Sequence, residues 1–427
     1  MSSSSRSSVD LAPRRPSSPL ERRASLDASA TYPGLKVALL TGGKDAHYVL
    51  GLLPELVARG VQVVVVGNAE LVAAADIAGG RAEFHDLVGS LDPDDGPLAK
   101  AWRVLSYYGR LLAFAARTDA ALFHVLWFRK FPLLERVLLT GYFKWLGKKL
   151  AFTAHNVDDR ARDGRRGTLW NKLSLALFYR SVDHIFVHTH DMKTEMVRQF
   201  GVFEGKVKVV PFGINDVIPV ARLSRLEARR HLGLGTDEKV LLFFGNIAPY
   251  KGVEDLLRAV ATLVREDSAV RLVLAGRVKD PSCEAYWSEL EDLIDTQELT
   301  RYVRKEIRYI PDEEAGVFFR ATDVSVLPYR RVDQSGVVAL SYAQGVPVIA
   351  SDAGSLKTDV KEGETGFVFR AGDVLDLVGK IRRYFASELF NDLEARRPRI
   401  RAHGAEAFSW TRNADLTCAV YRGLLKV

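Results

Sequence analysis

Short apolar runs alternate with amphipathic stretches along most of the chain. In the first half, apolar runs predict buried strands at 35–43, 61–68, 121–127, 149–156, 183–190 and 207–214. The stretches between them have helical spacing, for example at 169–182 and 192–201. Strands that are apolar throughout and alternate with helices are typical of a parallel sheet covered by helices on both faces.

The same alternation restarts after a charged stretch at 221–239. Further strands are predicted at 239–247, 271–278, 303–310, 323–329, 347–354 and 366–369. Each half has the size of one doubly wound unit, so we predict an α/β protein whose two parallel-sheet domains face a cleft. The predicted parts are a disordered tail (1–32), an N-terminal domain (33–213), a C-terminal domain (214–400) and a final helix (401–427) that packs back on the N-terminal domain.

Composition narrows the class of protein. The chain has 427 residues, of which 47% are hydrophobic and 26% charged, as in soluble globular proteins. Its net charge of +7 favours anionic partners. The basic residues are spread along the chain, so no nucleic-acid partner is indicated. Two cysteines suit a reducing compartment, and no apolar run reaches the roughly eighteen residues that a membrane span needs.

The first 32 residues are rich in Ser, Arg and Pro and lack the apolar core of a secretory signal. This composition predicts disorder. A transit-like targeting segment has a similar composition and stays open as an alternative. Without a secretory signal, we expect a cytoplasmic protein.

Residues 241–255 (LLFFGNIAPYKGVED) combine an apolar strand, a glycine-containing turn and the start of a helix. A helix that starts at such a turn points backbone N–H groups at the cleft, which suits a diphosphate. Lys251 adds a mobile positive charge at this turn, which also suits a diphosphate. The alternative is a solvated lysine on a surface turn.

The stretch at 327–354 repeats this arrangement, with the turn Gln334-Ser335-Gly336 before the predicted helix. Gly336 lets the backbone approach a phosphate or a sugar hydroxyl closely. Ser335 is also a good helix N-cap, and that alone would explain it. Asp333 and Gln334 either hydrogen-bond a donor sugar or are polar residues of a surface loop.

Two features of the N-terminal half, a glycine pair and a histidine, are predicted to face the same cleft if the two halves close. Gly42 and Gly43 follow the first strand, where a glycine pair lets the loop approach a ligand or forms an ordinary tight turn. His155 ends the strand at 149–156, although a lone histidine usually has a structural role. His188 and His190 form an H-x-H pair, but no third ligand is evident, so we expect no metal site.

The order of the C-terminal motifs resembles the donor domain of retaining GT-B glycosyltransferases of family four. The matching stretches are 245–252, 275–276, 309–311, 321–329, 334–336, 345–354 and 363–367. Each motif is weak alone, but their order over roughly 205–425 is specific. The N-terminal half is similar only in layout. The resemblance implies two Rossmann-like domains, a nucleoside-diphosphate sugar as donor, a saccharide or lipid-linked acceptor and no cofactor.

The motifs and the resemblance together assign roles to individual residues. Those predicted as catalytic are His155, Lys251 and Asp333, with His155 in contact with the donor sugar or the transition state. Those predicted to bind the donor are Gly42, Gly43, Asn246, Lys251, Arg277, Tyr309, Ile310, Gln334, Ser335, Gly336 and Val337. Arg277 would reach a phosphate or the base, unless it is ordinary surface charge.

Two departures from the family pattern concern the donor site. Asn246 stands where the family usually has an Arg that shares the diphosphate. Val332 and Leu340 stand where the family usually has two Glu residues around the donor sugar and ribose, although Asp333 is adjacent to the first. The variant leaves sugar selection, the ribose contact and the stereochemical outcome open.

We therefore expect a retaining hexosyltransferase that moves a sugar to an acceptor hydroxyl in polysaccharide or glycolipid synthesis. A non-catalytic GT-B protein that binds nucleotide sugars and a nucleotide-sugar epimerase stay open as alternatives. The stretches at 107–117 and 133–150 combine apolar, aromatic and basic residues. Such helices lie on membrane surfaces or are core helices with polar faces. The first interpretation predicts a peripheral protein on the inner face of the membrane.

Overall fold

The computed structural model describes residues 32, 34–43, 46–68, 82–87, 96–129, 131–158, 169–213 and 218–426. Nearly all of the predicted disordered tail, residues 1–31, lies outside the described residues. The described strands are β1 (Lys36–Leu40), β2 (Gln62–Gly67), β3 (Ala82–Asp86), β4 (Leu122–Val125), β5 (Lys149–Thr153), β6 (His184–Val187), β7 (Val207–Val209), β8 (Lys239–Phe244), β9 (Val270–Ala275), β10 (Val303–Glu306), β11 (Val324–Leu327), β12 (Val348–Ser351) and β13 (Gly366–Phe369).

Helices follow most of the strands. The described α-helices are α1 (Ala46–Ala58), α2 (Pro97–Arg117), α3 (Pro132–Leu134), α4 (Thr140–Trp145), α5 (Leu169–Ser181), α6 (His190–Phe200), α7 (Arg225–His231), α8 (Val253–Glu266), α9 (Glu284–Thr296), α10 (Asp312–Ala321), α11 (Gly336–Ala343), α12 (Leu356–Asp359), α13 (Val374–Phe385), α14 (Glu388–Asn391), α15 (Leu393–Ala407) and α16 (Trp410–Leu425). A π-helical turn (Glu135–Leu139) joins α3 to α4, and 3-10 turns lie at Glu204–Lys206, Pro249–Lys251 and Pro281–Cys283.

The strands form two parallel sheets, one in each lobe. Their orders are β3-β2-β1-β4-β5-β6-β7 in the N-terminal lobe and β10-β9-β8-β11-β12-β13 in the C-terminal lobe. Each sheet starts in its middle, because β1 pairs with both β2 and β4, and β8 pairs with both β9 and β11. Such a reversal of strand order opens a crevice at the carboxyl ends of the central strands. The predicted pair of doubly wound domains is confirmed.

Apolar side chains explain why these elements form. Residues 63–66 of β2 are all valine and all buried, as expected for a strand covered on both faces. Helix α8 buries Leu256, Val260 and Leu263 at helical spacing against its sheet. Acidic residues in its first turn and Arg265 in its last turn suit the helix dipole.

The C-terminal segment differs from the prediction of one helix at 401–427. The chain forms two helices, α15 and α16, with Ser409 capping the second by accepting from the Arg412 amide at 3.1 Å. Helix α15 packs on α11 in the C-terminal lobe, and only α16 packs on α1 in the N-terminal lobe. Trp410 lies so close to Gly51 that a Cβ there would be 2.1 Å from its indole. The chain therefore returns to the N-terminal lobe at 408–410.

Strand β3 was not predicted from the sequence. Its residues, AEFHD, are mostly polar and only partly buried. It pairs with β2 at the edge of the N-terminal sheet. An edge strand needs no continuous apolar run, because one side has no neighbouring strand and its faces are less covered.

Candidate active site

The carboxyl edges of the two sheets face each other across the crevice. The Asp333 Oδ2 of the C-terminal lobe accepts a hydrogen bond from the Val157 amide of the N-terminal lobe at 3.0 Å. Lys357 Nζ lies 3.2 Å from Asp191 Oδ2, again across the crevice. The loops that follow β5 and β11 therefore meet across the crevice.

Lys251 is held at the crevice by the turn that contains it. Gly252 has a left-handed φ of 62°, and a Cβ there would lie 2.1 Å from the Pro328 carbonyl oxygen. Only glycine permits the turn to pack this closely on the end of β11. Lys251 Nζ lies 3.6 Å from the centroid of the buried Tyr329 ring. A ring face attracts a cation, so the ammonium stays at the edge where β8 and β11 end.

Arg330 fixes the loop after β11, and sequence analysis missed it. Its Nε and Nη2 contact the two carboxylate oxygens of Asp255 at 3.0 and 2.9 Å, and its Nη1 lies 2.7 Å from Glu254 Oε1. Asp255 is buried in the first turn of α8. This bidentate geometry is strong and directional. The signal in the sequence was the acidic pair Glu254-Asp255 in the first helical turn after Gly252, together with an arginine three residues after the end of β11.

Ser335 occupies the N-cap position of α11 but does not cap it. Its side chain makes no capping hydrogen bond, and its Oγ is buried without a hydrogen-bond partner among the described residues. The Tyr329 hydroxyl is also buried and has no hydrogen bond of normal geometry among the described residues. Burial raises the pKa of Tyr329, and the neighbouring Ser335 hydroxyl lowers it. The N-cap explanation for Ser335 therefore fails, and its hydroxyl lies beside the Tyr329 hydroxyl at the start of α11.

The first turn of α11 lies next to the turn after β8. A Cβ on Gly245 would be 3.7 Å from Val337 Cγ2, which brings the two predicted donor-binding turns together. Asn246 follows Gly245 and is exposed, and Gln334 is half-buried. Gly336 is exposed on the crevice side, where the Phe212 ring of the other lobe lies 3.4 Å from the position of a Cβ.

Three further predicted donor residues lie beyond the ends of β9 and β10. The Arg277 guanidinium lies 5.9 Å from the centroid of the Tyr309 ring, and both side chains are exposed. Ile310 is buried in the core of the C-terminal lobe. Its side chain is therefore unavailable to a ligand, and only its backbone remains for the predicted contact with a base.

His155 stacks on Trp127 with a centroid distance of 4.0 Å and an angle of 4°. Tyr48 packs edge-on against the His155 ring, with the ring centroids 4.7 Å apart. Burial lowers the pKa of His155 well below its usual value, and His188 and His124 lower it further. Its Nε2 is buried without a partner among the described residues. A neutral imidazole with one unused nitrogen can donate or accept a single hydrogen bond to a ligand.

The H-x-H pair does not act as a unit. His188 belongs to the aromatic cluster around Tyr48, its Nδ1 lies 3.3 Å from the Val210 carbonyl oxygen, and burial lowers its pKa to about 4. His190 is exposed at the start of α6. Within the described ranges, no group of three or more potential metal-ligating side chains comes together.

The turn Gly42-Gly43 lies on the same edge as His155. A Cβ on Gly42, whose φ is 62°, would be 2.7 Å from the Trp127 carbonyl oxygen, so glycine is required there. The Gly43 amide donates to Thr41 Oγ1 at 3.2 Å. The tight-turn explanation thus holds, and the turn also packs on the residue that stacks on His155. Trp127, which sequence analysis did not select, connects the two predicted elements.

A polar cavity of about 200 Å³ lies between the lobes beside Asp333. Asp158 and Glu195 line it from the N-terminal lobe, and Arg331 lines it from the C-terminal lobe. Burial raises the pKa of Glu195, Asp333 raises it further and Arg331 lowers it. Acidic and basic groups around one cavity can hydrogen-bond several hydroxyls, as a sugar or a polyol requires.

The two positions where the resembled family has glutamates are core positions here. Val332 and Leu340 are 7% and 9% exposed and belong to apolar clusters of the C-terminal lobe. Neither contributes a polar atom to the crevice from its side chain.

Two family models match the chain, one in each lobe. The model described as Glycosyltransferase Family 4 matches residues 46–217, and the model described as Glycosyl transferases group 1 matches residues 224–402. The two matches follow each other along the chain and together contain the predicted site residues, apart from Gly42 and Gly43.

Curated relatives and solved structures agree with these matches. The D-inositol 3-phosphate glycosyltransferase of Geodermatophilus obscurus is 32% identical over 56% of this chain, and the chain spans about half (52%) of that relative. The D-inositol 3-phosphate glycosyltransferase of Streptosporangium roseum is 27% identical over 90% of this chain and 89% of its own length. The structure of Anabaena HepE in complex with UDP and glucose matches with a TM-score of 0.69 and 16% identity, over 90% of this chain and 98% of HepE.

Proposed function

The chain belongs to the GT-B glycosyltransferases of the family-four type, and we propose that it transfers a hexose from a nucleoside-diphosphate sugar to an acceptor hydroxyl. The observation that carries this proposal is the position of Lys251. Its ammonium lies over the Tyr329 ring at the crevice, and the Ser335 hydroxyl lies beside the hydroxyl of the same tyrosine. A fixed cation beside two hydroxyl groups and the first turn of α11 suits the negative charge of a leaving diphosphate.

The proposed mechanism divides the work between the lobes. Lys251 and the first backbone amides of α11 bind the diphosphate and stabilise its charge as the bond to the sugar breaks. His155, which is neutral, gives one hydrogen bond to the sugar from the opposite lobe. Closure of the lobes, supported by the Asp333 contact with Val157, excludes water, so that the sugar passes to the acceptor instead of being hydrolysed.

We propose that transfer retains the anomeric configuration. In that case an oxygen of the leaving phosphate deprotonates the acceptor hydroxyl on the same face of the sugar, and no carboxylate base is needed. This agrees with the apolar Val332 and Leu340. The donor class is supported by HepE, which shares the fold and is in complex with UDP and glucose. No cofactor beyond the donor is part of the proposal.

The acceptor is proposed to be a saccharide, carried by a lipid at the inner face of the membrane, in polysaccharide or glycolipid synthesis. The cavity beside Asp158 and Glu195 offers carboxylates for its hydroxyls. The basic, apolar helices of the N-terminal lobe support a cytoplasmic protein that contacts the membrane from its surface.

The apolar residues at the two glutamate positions favour one alternative, a protein that binds nucleotide sugars without turnover. Titration calorimetry with UDP and GDP, combined with an assay of donor consumption, distinguishes the two functions. We expect binding of one nucleotide and release of that nucleotide from its sugar conjugate. Binding without release over a range of acceptors would support the alternative. Epimerised donor formed without any acceptor would identify the epimerase that the sequence left open.

A further inference from the structure

Exposed apolar side chains concentrate on one part of the N-terminal lobe. Of the eighteen large apolar side chains that are exposed in the described chain, twelve lie on α2, on residues 131–145 and on α5. Leu98, Trp102 and Leu105 lie on α2, Leu138 lies on the π-helical turn, and Trp170 and Leu173 lie on α5. These six residues define the exposed apolar face. Both tryptophans are 73% exposed, and exposed apolar residues that form one contiguous patch usually mark an interaction site.

The three elements are neighbours, so their outward sides form one surface. Arg136 Nη1 of the π-helical turn donates to Asn171 Oδ1 of α5 at 2.9 Å. The Tyr108 hydroxyl of α2 donates to Glu135 Oε1 of the same turn at 2.7 Å. Inward residues of all three elements, among them Phe178, share one core cluster on one face of the N-terminal sheet.

This surface lies on the crevice side of the lobe. Helices α2, α3 and α5 follow strands β3, β4 and β5, so each helix starts at the carboxyl edge of the parallel sheet and runs back along it. Leu98, Trp102, Trp170 and Leu173 lie in the first two turns of their helices. The exposed apolar face is therefore on the side of the lobe where His155 and the glycine turn are.

The charge of these three elements indicates which class of partner binds the exposed apolar face. The stretches 97–117, 131–148 and 169–181 contain nine Lys and Arg residues and a single acidic residue, Glu135. Glu135 is buried and accepts from the amides of Arg129 and Phe131 as well as from Tyr108. The outward side of these elements is therefore basic and apolar without carboxylates. Such a surface attracts an anionic layer and repels a second copy of itself.

We propose that the exposed apolar face docks on an anionic phospholipid bilayer. Tryptophan favours the interface between headgroups and acyl chains, and leucines beside it enter the acyl boundary while lysines and arginines contact the headgroups. None of the described helices is long and apolar enough to cross a bilayer. The inference rests on the proposed function, because docking brings the mouth of the crevice to a lipid-linked acceptor.

Sedimentation of the full-length protein with vesicles tests the docking. We expect binding to vesicles that contain phosphatidylglycerol, weaker binding to pure phosphatidylcholine, and loss of binding at high salt. The double variant Trp102→Ser, Trp170→Ser should bind at least about tenfold more weakly. The matched control is Leu375→Ser, since Leu375 is 80% exposed on the other lobe. The control should bind as the wild type does, and circular dichroism should show all variants folded.

Two outcomes overturn the docking surface. One is equal vesicle binding by the double variant and the wild type. The other is a dimer in sedimentation velocity that the double variant abolishes, which would make a second copy the occupant. Consumption of donor with a water-soluble acceptor separates this inference from the proposed function, because the double variant should leave it unchanged. Absence of turnover in both proteins would contradict the proposed function alone, since vesicle binding is measured independently.

Discussion

The Asp333 carboxylate of the C-terminal lobe accepts a hydrogen bond from the Val157 amide of the N-terminal lobe, with an oxygen–nitrogen distance of 3.0 Å. The Val157 carbonyl in turn accepts from the Tyr179 hydroxyl at 2.8 Å. Val157, in the loop after β5, is thus held both by its own lobe and by the opposite one. Asp333, which the sequence marked as a residue of the donor sugar, also positions the lobes relative to each other.

Replacing Asp333 separates these two roles. The Asn side chain keeps an oxygen that accepts from the Val157 amide, so D333N should retain most of the transfer rate. D333A removes the contact and should lower kcat/KM by roughly tenfold to a hundredfold through misplacement of the lobes. Steady-state kinetics and small-angle scattering of both variants check this. Equal losses in D333N and D333A would mean that the negative charge is what the reaction needs.

Removing the Lys251 ammonium should impair the chemistry more than the fold. K251M keeps an apolar side chain over the Tyr329 ring and loses the charge that faces the diphosphate. We expect kcat/KM to fall on the order of a hundredfold and nucleoside-diphosphate affinity to fall with it. The matched control is K380M, because Lys380 lies 2.9 Å from Glu362 in an ion pair at the surface. Transfer by K251M at the rate of K380M would remove Lys251 from the site.

Buried histidines should make stability depend on pH. Burial lowers the pKa of His124 to about 3 and of His188 to about 4, and it lowers the pKa of His155 as well. The unfolded chain therefore binds protons first, at the ordinary histidine pKa of about 6.5. The contribution of these neutral histidines to the free energy of unfolding is fully present above that pH. It is lost as the pH falls from about 6.5 toward the folded-state pKa values, by at most about 1.4 kcal/mol per pH unit for each histidine.

Urea unfolding between neutral and mildly acidic pH measures this dependence. H155F keeps a ring against Trp127 and should flatten the profile by the share of one histidine. The same variant lacks the unused nitrogen and should slow transfer about tenfold or more at neutral pH. A pH profile identical to that of the wild type would show that the pKa of His155 is the same in the folded and the unfolded chain.

Two glycines with left-handed backbone allow strain and crowding to be separated. G363A adds a methyl group in open space at φ 78°, whereas G252A adds one at φ 62° that would lie 2.1 Å from the Pro328 carbonyl oxygen. Both should lose about 1 kcal/mol to backbone strain. G252A should lose a further 1–3 kcal/mol or so to crowding and should also lower the transfer rate by displacing Lys251. Equal unfolding free energies of the two variants would mean that the Lys251 turn is not packed on β11.

Local sequence patterns were sufficient to predict the secondary-structure elements and the turns between them. Apolar runs such as Val63–Val66 determined the strands, because a strand buried on both faces is mostly apolar. The Lys251-Gly252 pair identified a turn that needs a left-handed residue. These features depend on neighbours in the chain, and the order of such features was enough to indicate the family.

Contacts between distant residues were decided only by the tertiary structure. The stacking of His155 on Trp127, the ion pair of Arg330 with Asp255 and the bond between Asp333 and Val157 join residues 28, 75 and 176 positions apart. The break between α15 and α16 likewise depends on the packing of Trp410 against Gly51. A one-dimensional pattern records which residues are apolar or charged. It does not record which strand ends meet across a crevice, because that depends on the packing of two complete sheets.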